Sequence, residues 1–214
     1  MTMDRPKYWS GSWQSLHDAR WKFHYPLSGK WHAAEVPGCV HLDLRRAGLI
    51  PDPFWGANER GLQWIEEKDW TYAAEFSVPA ELLAHEHVEL DADGLDTIAK
   101  VFLNGRLVGE SENMFVGARW PVKARLRAGP NRLEVRFQSS AKYVRTHRTA
   151  HRPRELNDPV GGCTRIRKQQ CSFGWDWGPR FATSGIWRDI GLHAWSIAKL
   201  DSVKITQSFE ADGS

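Results

Sequence analysis

The chain reads as an all-β protein, a sandwich or barrel of short strands. Three observations predict this: hydrophobic and polar residues alternate in run after run, turn-forming pairs separate the runs, and helical periodicity is scarce. Taken in order, residues 40–47 can make about two helical turns after Pro37-Gly38. Trp70, Tyr72, Ala74, Phe76 and Val78 then share one face of a strand that Pro79 stops, and residues 79–84 allow one further helical turn. Val88, Leu90 and Ala92 mark a second strand. Ala99, Val101 and Leu103 lead into Asn104-Gly105, a pair that tolerates the positive φ angles of a tight hairpin, and Leu107-Val108 return on the far side. Trp120, Val122, Ala124 and Leu126 alternate next, and Gly129-Pro130-Asn131 turns the chain. Leu133, Val135 and Phe137 then alternate with Arg132, Glu134 and Arg136. Ile186, Arg188 and Ile190 predict a strand near the end. Val203-Lys204-Ile205-Thr206 starts another that stops in Glu210-Ala211-Asp212-Gly213-Ser214. The one or two short helices are expected at the periphery.

Composition narrows the function classes. With 214 residues, 41% hydrophobic and 26% charged, the chain can bury a sizeable core, and one large domain is expected. A net charge of +3, from 29 basic and 26 acidic residues, gives no reason to expect a nucleic acid or membrane partner. The first 31 residues mix charges with aromatics and lack the apolar run of a signal peptide. Cys39, Cys163 and Cys171 show no zinc-ligand spacing, so reduced thiols in a cytoplasmic setting are expected, with no metal and no cofactor. Asp91-Ala92-Asp93-Gly94 opens like a calcium loop, but the twelfth position is Phe102, which supplies no carboxylate, so a turn is expected. The basic cluster Lys142, Arg145, His147, Arg148, His151, Arg152 and Arg154 has only Tyr143 interleaved, and it reads as a solvated loop or one that meets another domain. Twelve tryptophans, Trp9 among them, are expected mostly as packing anchors, because indole buries a large area while its N–H reaches a carbonyl.

The segment Arg167-Lys168-Gln169-Gln170-Cys171-Ser172-Phe173-Gly174-Trp175-Asp176-Trp177-Gly178-Pro179 carries the chemistry. A sugar ring offers apolar C–H faces and a rim of hydroxyls, which suit a flat aromatic beside an acceptor-only carboxylate. This is a candidate carbohydrate site. The competing readings are an Asp176 carboxylate satisfied by Arg167, Lys168 or backbone N–H groups, and Trp175 and Trp177 as anchors in an inter-domain seam, with Trp177 the stronger packing candidate.

The chain also resembles a known family. Glu35-Val36-Pro37-Gly38 with Asp43-Leu44, Ile50-Pro51-Asp52-Pro53-Phe54-Trp55-Gly56-Ala57-Asn58-Glu59, Trp64-Ile65 and Asp69-Trp70 are similar to the opening of glycoside hydrolase family 2, β-mannosidase branch. Gly94-Leu95-Asp96-Thr97, Phe102-Leu103-Asn104-Gly105, Asn113-Met114-Phe115, the tryptophan-aspartate segment and Ser184-Gly185-Ile186-Trp187-Arg188-Asp189-Ile190 continue it in order, over roughly residues 8–198. The resemblance implies a galactose-binding-domain-like jelly-roll β-sandwich over residues 1–198. Residues 199–214 would be a linker or the first strand of an immunoglobulin-like domain, with a catalytic (β/α)₈ barrel beyond it. Retaining glycosidases use two carboxyl groups about 5–5.5 Å apart. In this family both belong to the barrel, so no catalytic residue is expected in this chain. Glu66-Glu67 and Asp91 with Asp93 are poor substitutes, since adjacent residues on a strand point to opposite faces and Asp91 to Asp93 lies beside a turn rather than in a recognisable cleft.

By the same resemblance Asp176 would accept hydrogen bonds from ring hydroxyls of a mannoside or oligosaccharide. Trp175 would wall the subsite of the nonreducing sugar, and Asn113 would lie near it. Gln169 stands where relatives often carry a smaller or apolar residue. Three readings stay open: the N-terminal sugar-binding domain of a β-mannosidase-like hydrolase, a free-standing carbohydrate-binding module, or a structural domain whose aromatic loop only docks onto a barrel.

Overall fold

Alternation along the strands decides which faces meet, and a computed structural model describes the result for residues 11–147, 158 and 161–208. The chain runs through β1 (Ser12–Ser15), β2 (Arg20–Tyr25), β3 (Lys30–Ala33), α1 (Val40–Arg46), α2 (Asn58–Gly61) and a 3₁₀ turn at Gln63–Glu67. It continues through β4 (Trp70–Val78), α3 (Ala80–Ala84), β5 (His87–Ala92), β6 (Leu95–Asp96), β7 (Ala99–Leu103), β8 (Arg106–Ser111) and β9 (Ala118–Pro121). Then follow β10 (Gly129–Phe137), α4 (Ser140–Thr146), β11 (Gly185–Ile186) and β12 (Ile190–Trp195). The strands form antiparallel sheets, one in the order β3-β2-β4-β10-β7-β8 and one in the order β1-β12-β5-β9, with a small β11-β6 pair. The expected all-β sandwich is present.

The core lies between the two large sheets. β4 sends Trp70, Tyr72, Ala74, Phe76 and Val78 inward, and β10 answers with Leu133, Val135 and Phe137. Opposite them stand Val88, Leu90 and Ala92 of β5 and Ile190, Leu192 and Ala194 of β12. Two buried indoles behave as anchors with satisfied N–H groups: Trp21 donates to the Leu16 carbonyl at 2.7 Å and Trp70 to that of Ile65 at 3.0 Å. Gly94 is needed for packing, since a Cβ there would lie 2.6 Å from the Trp187 indole nitrogen. Trp31, Trp55 and Trp177 are exposed, and Trp9 lies outside the described residues.

The β7–β8 hairpin forms as expected, with Asn104 at φ 51° and Gly105 at φ 78°. Its turn is tied to the next one: the Asn104 amide donates to Asn131 Oδ1 at 2.8 Å, and Asn131 donates to the Arg127 carbonyl at 2.7 Å. Asn131 is thus a buried lock inside β10, so Gly129-Pro130-Asn131 begins the strand rather than preceding it.

Other expectations need correction. The run from Trp120 to Leu126 is a strand only to Pro121; beyond it the Arg125 amide bonds the Val122 carbonyl at 2.8 Å in a 3₁₀ turn. The terminal strand is interrupted after Ile186 and resumes at Ile190, and six of its residues pair with β5. Helical segments are more numerous than expected. Nor is α1 peripheral, for it buries Val40, His41, Asp43 and Leu44. Lys142 and Arg145 sit on helix α4, capped by Ser139, instead of in a loop; Arg148, His151, Arg152 and Arg154 lie outside the described residues. Glu66 and Glu67 belong to a 3₁₀ turn and not to a strand. Asp91 is buried within β5, and no group of metal-ligating side chains occurs among the described residues. Residues 203–206 form no strand and are exposed, and Glu210 to Ser214 are outside the description.

Candidate functional site

The tryptophan-aspartate motif forms a small reverse turn held above a bed of buried charges. Phe173 is fully buried and ends a 3₁₀ turn, and Gly174 takes φ 99°, a backbone that side-chain-bearing residues rarely adopt. Trp175 N–H then donates to the Gly178 carbonyl at 3.2 Å, and Gly178 N–H returns to the Trp175 carbonyl at 3.3 Å. Asp176 and Trp177 are therefore the two tip residues of a closed turn. Both are exposed, Trp177 at 75%. Trp177 is therefore no core anchor among the described residues, and its exposure leaves the reading as a seam anchor open.

Arg180 fixes the base of the turn. Its guanidinium is buried and gives Nη1 to the Phe173 carbonyl at 2.8 Å and to Asp158 Oδ1 at 3.1 Å. Nη2 and Nε reach the Glu66 carboxylate at 2.9 and 3.0 Å. Its backbone N–H bonds Glu59 Oε1 at 2.6 Å, which ties the loop to α2. Desolvation pushes the Glu66 carboxyl up and the Arg180 hydrogen bonds oppose that shift, as expected for a buried charge-assisted pair.

Asp158 also accepts the amides of Gly161 and Cys163 at 3.0 Å. Together these groups floor an open cleft of about 430 Å³, lined by Glu59, Asp158, Gly174, Trp175, Asp176, Gly178 and Arg180.

Lys168 takes no part in the cleft. It is buried, ion-pairs with Asp96, and donates to the Thr183 carbonyl at 2.9 Å, while the Thr183 hydroxyl donates to Asp96 at 2.6 Å. Beside this cluster, His41 packs edge-on to Phe181. Burial, reinforced by the Lys168 charge, lowers its pKa to about 4. Because Lys168 is committed to Asp96, it does not satisfy Asp176. Among the described residues Asp176 has no hydrogen-bond or ion-pair partner.

Of the residues singled out from sequence, Trp175 and Asp176 share the cleft and Asn113 does not line it. Asn113 Oδ1 accepts the Phe115 amide at 3.0 Å, a local turn. Its segment is stitched to the base of the motif through Met114 N–H to the Arg167 carbonyl at 3.0 Å. Gln169, whose amide meets Met114 sulfur at 3.0 Å, is exposed. Sequence reasoning missed that Arg180, Asp158 and Glu59 line the cleft. The one available signal was position: Arg180 directly follows Gly178-Pro179, while its partner Glu66 is 114 residues away in sequence.

Comparison with known proteins gives concordant results. Residues 21–188 match the family model described as glycosyl hydrolase 2 galactose-binding domain-like. A β-mannosidase of Mus musculus is 37% identical over 195 residues, covering 83% of this chain and 22% of that protein. β-Mannosidase B of Thermothelomyces thermophilus is 40% identical over 182 residues, covering 82% and 21%. The crystal structure of a β-D-mannosidase from Dictyoglomus thermophilum superposes with a TM-score of 0.80 at 43% identity, covering 86% of this chain and 23% of that one. The chain thus spans about a fifth of the length of these relatives.

Proposed function

Since the chain belongs to the glycosyl hydrolase 2 family, as its galactose-binding-like domain on the β-mannosidase branch, we propose that it is the sugar-recognition edge of a retaining β-mannosidase-like glycosidase. On its own it is not catalytic. Its turn at Trp175 to Gly178 shapes the subsite of the nonreducing mannosyl unit, Asp176 accepting ring hydroxyls and Trp175 walling the ring. The observation that carries this reading is the exposed Asp176 carboxylate, without a partner among the described residues, presented at the tip of a hydrogen-bonded turn beside a cleft that Trp175 lines. A carboxylate already satisfied would have nothing to offer a ligand; no described residue takes up the acceptor capacity of this one.

The catalytic acid and nucleophile belong to a barrel domain outside this chain, and an immunoglobulin-like domain joins the two. Exposed Phe54, Trp55, Phe115 and Trp177 support such a docking face, because large aromatics are seldom left to water without a partner. Asn113 acts, on this reading, through the loop it braces.

The test is kinetic. In the longer protein, Asp176→Ala lowers kcat/KM for a β-mannoside roughly 10- to 100-fold with the fold intact, the range expected for losing hydrogen bonds to a charged group. Unchanged kinetics would overturn the assignment.

A further inference from the structure

Glu59, on α2, has so far served only to tie the loop, yet it lines the cleft beside the tryptophan-aspartate turn. Glu59 lines the cleft together with Trp175 and Asp176, and it is half-buried. Its Oε1 is occupied by the Arg180 backbone N–H at 2.6 Å, which fixes the carboxylate in place. Among the described residues no donor meets its Oε2. The side chain is thus half anchor and half free acceptor, a pre-organised arrangement of the kind ligand contacts require.

The charge around it is equally informative. Arg180 is the only cation lining the cleft among the described residues, and Glu66, Asp158 and the Phe173 carbonyl take up its guanidinium from below. Among the described residues this leaves no uncommitted cation lining the cleft. The charges this wall offers are the carboxylates of Glu59 and Asp176, both acceptor-only. A hydroxyl-rich uncharged ring satisfies two such acceptors. A ring bearing its own carboxylate is repelled by them and, among the described residues, finds no free cation in exchange, so the wall selects by exclusion as well as by fit.

We propose that Glu59 is a second sugar-contacting residue whose free oxygen, acting with Asp176, makes this wall accept a neutral glycosyl ring and reject a uronic acid. The proposal rests on the cleft being the glycosyl subsite and adds to it a residue and a basis of discrimination.

Glu59→Gln tests it in the longer protein, because glutamine keeps a carbonyl acceptor for the Arg180 N–H while removing the charge; thermal unfolding verifies that the fold is retained. KM for an aryl β-mannoside is expected to rise about 10-fold, the scale of a lost charge-assisted hydrogen bond, with a smaller change in kcat. Inhibition by free mannuronate, weak in the parent, is expected to tighten at least about 5-fold relative to inhibition by mannose, as removal of a like charge requires. Glu59→Asp, which keeps the charge but retracts it by one methylene, is expected to raise KM without relaxing the exclusion of mannuronate. It also serves as the readout should the glutamine variant be unstable. If Asp176→Asn slows turnover while Glu59→Gln leaves both KM and the mannuronate-to-mannose ratio unchanged, this inference alone is overturned. If neither variant has an effect, the cleft is not the subsite and both readings are overturned.

Discussion

Leu133 and Lys168 are both buried, but they hold different regions in different ways. Leu133 sits on β10, where the neighbouring strands β4 and β7 pair with it on either side and the next apolar layer covers its face. Its contribution is area removed from water, shared among many contacts and insensitive to the identity of any one neighbour. Lys168 sits in the loop-rich end between residues 161 and 184, which has little ladder structure and only a small apolar cluster around Ile166 and Phe173. There the chain is held by a few buried charges, Lys168 on Asp96 and Arg180 on Glu66 and Asp158. The sandwich tolerates approximation. The loop end depends on partners being complete, and that end carries the tryptophan-aspartate turn.

The largest effects should expose that contrast. Lys168→Met leaves the buried Asp96 carboxylate without its cation, which should destabilise by about 3–5 kcal/mol, and Arg180→Ala falls in the same class. Leu133→Ala loses about 2–5 kcal/mol by leaving a cavity, whereas the volume-conserving Leu133→Met stays below about 1.5 kcal/mol. The regions part at the double variant. Lys168→Met with Asp96→Leu removes both charges, and urea unfolding is expected to show part of the loss recovered, since a buried pair can be replaced more cheaply than broken. A double variant as unstable as the sum of its singles would mean that Lys168 and Asp96 act independently.

The same division explains what the amino-acid sequence made legible. Alternation along β4, β5 and β10 and the Asn104-Gly105 pair reflect local geometry, so these elements could be read directly. The motif at Trp175 and Asp176 stood out by residue type, and its family resemblance gave it a place. What could not be read depends on distance in sequence. Glu66 meets Arg180 across 114 residues and Asp96 meets Lys168 across 72, and no local period announces either pair. Short edge strands such as β1 and β3 escaped for a related reason: with four residues each and little burial, they exist because β12 and β2 are there to pair with.

A smaller effect separates the regions by pH. Because the His41 pKa is lowered to about 4 in the folded chain against about 6.5 when unfolded, the unfolded state binds the proton first as pH falls. The stability associated with neutral His41 is complete above pH 6.5 and drains away as pH drops towards 4, by roughly 3 kcal/mol. Burial of Asp43 and Glu66 raises their pKa values and acts in the opposite direction, so the parent's total slope is not diagnostic. The difference between parent and His41→Leu isolates the histidine's contribution. Unfolding free energies measured at pH 7 and pH 4.5 should diverge between the two proteins, with the variant losing less on acidification. Equal losses would mean that His41 is protonated in the folded state well above pH 4.

The smallest effect comes from two adjacent residues. Glu66 and Glu67 each pair with an arginine, Glu66 with Arg180 in the buried floor of the cleft and Glu67 with Arg145 on the surface of α4. The Arg145 hydrogen bond holds the Glu67 carboxyl below the usual range, so attraction outweighs desolvation there, the reverse of Glu66. Even so, both side chains of the outer pair are more than a third exposed, and water and salt screen them. Arg145→Ala should therefore change stability by less than about 1 kcal/mol, and the difference should vanish in high salt. A loss comparable with that of Arg180→Ala, or one that persists in high salt, would show that α4 belongs to the charge-held region and that its contact with the Gln63–Glu67 turn helps to set the cleft. A negligible loss confines that region to the buried partners of Lys168 and Arg180, and leaves α4 to its Ser139 cap and to Val144 in the apolar cluster of Ile166 and Phe173.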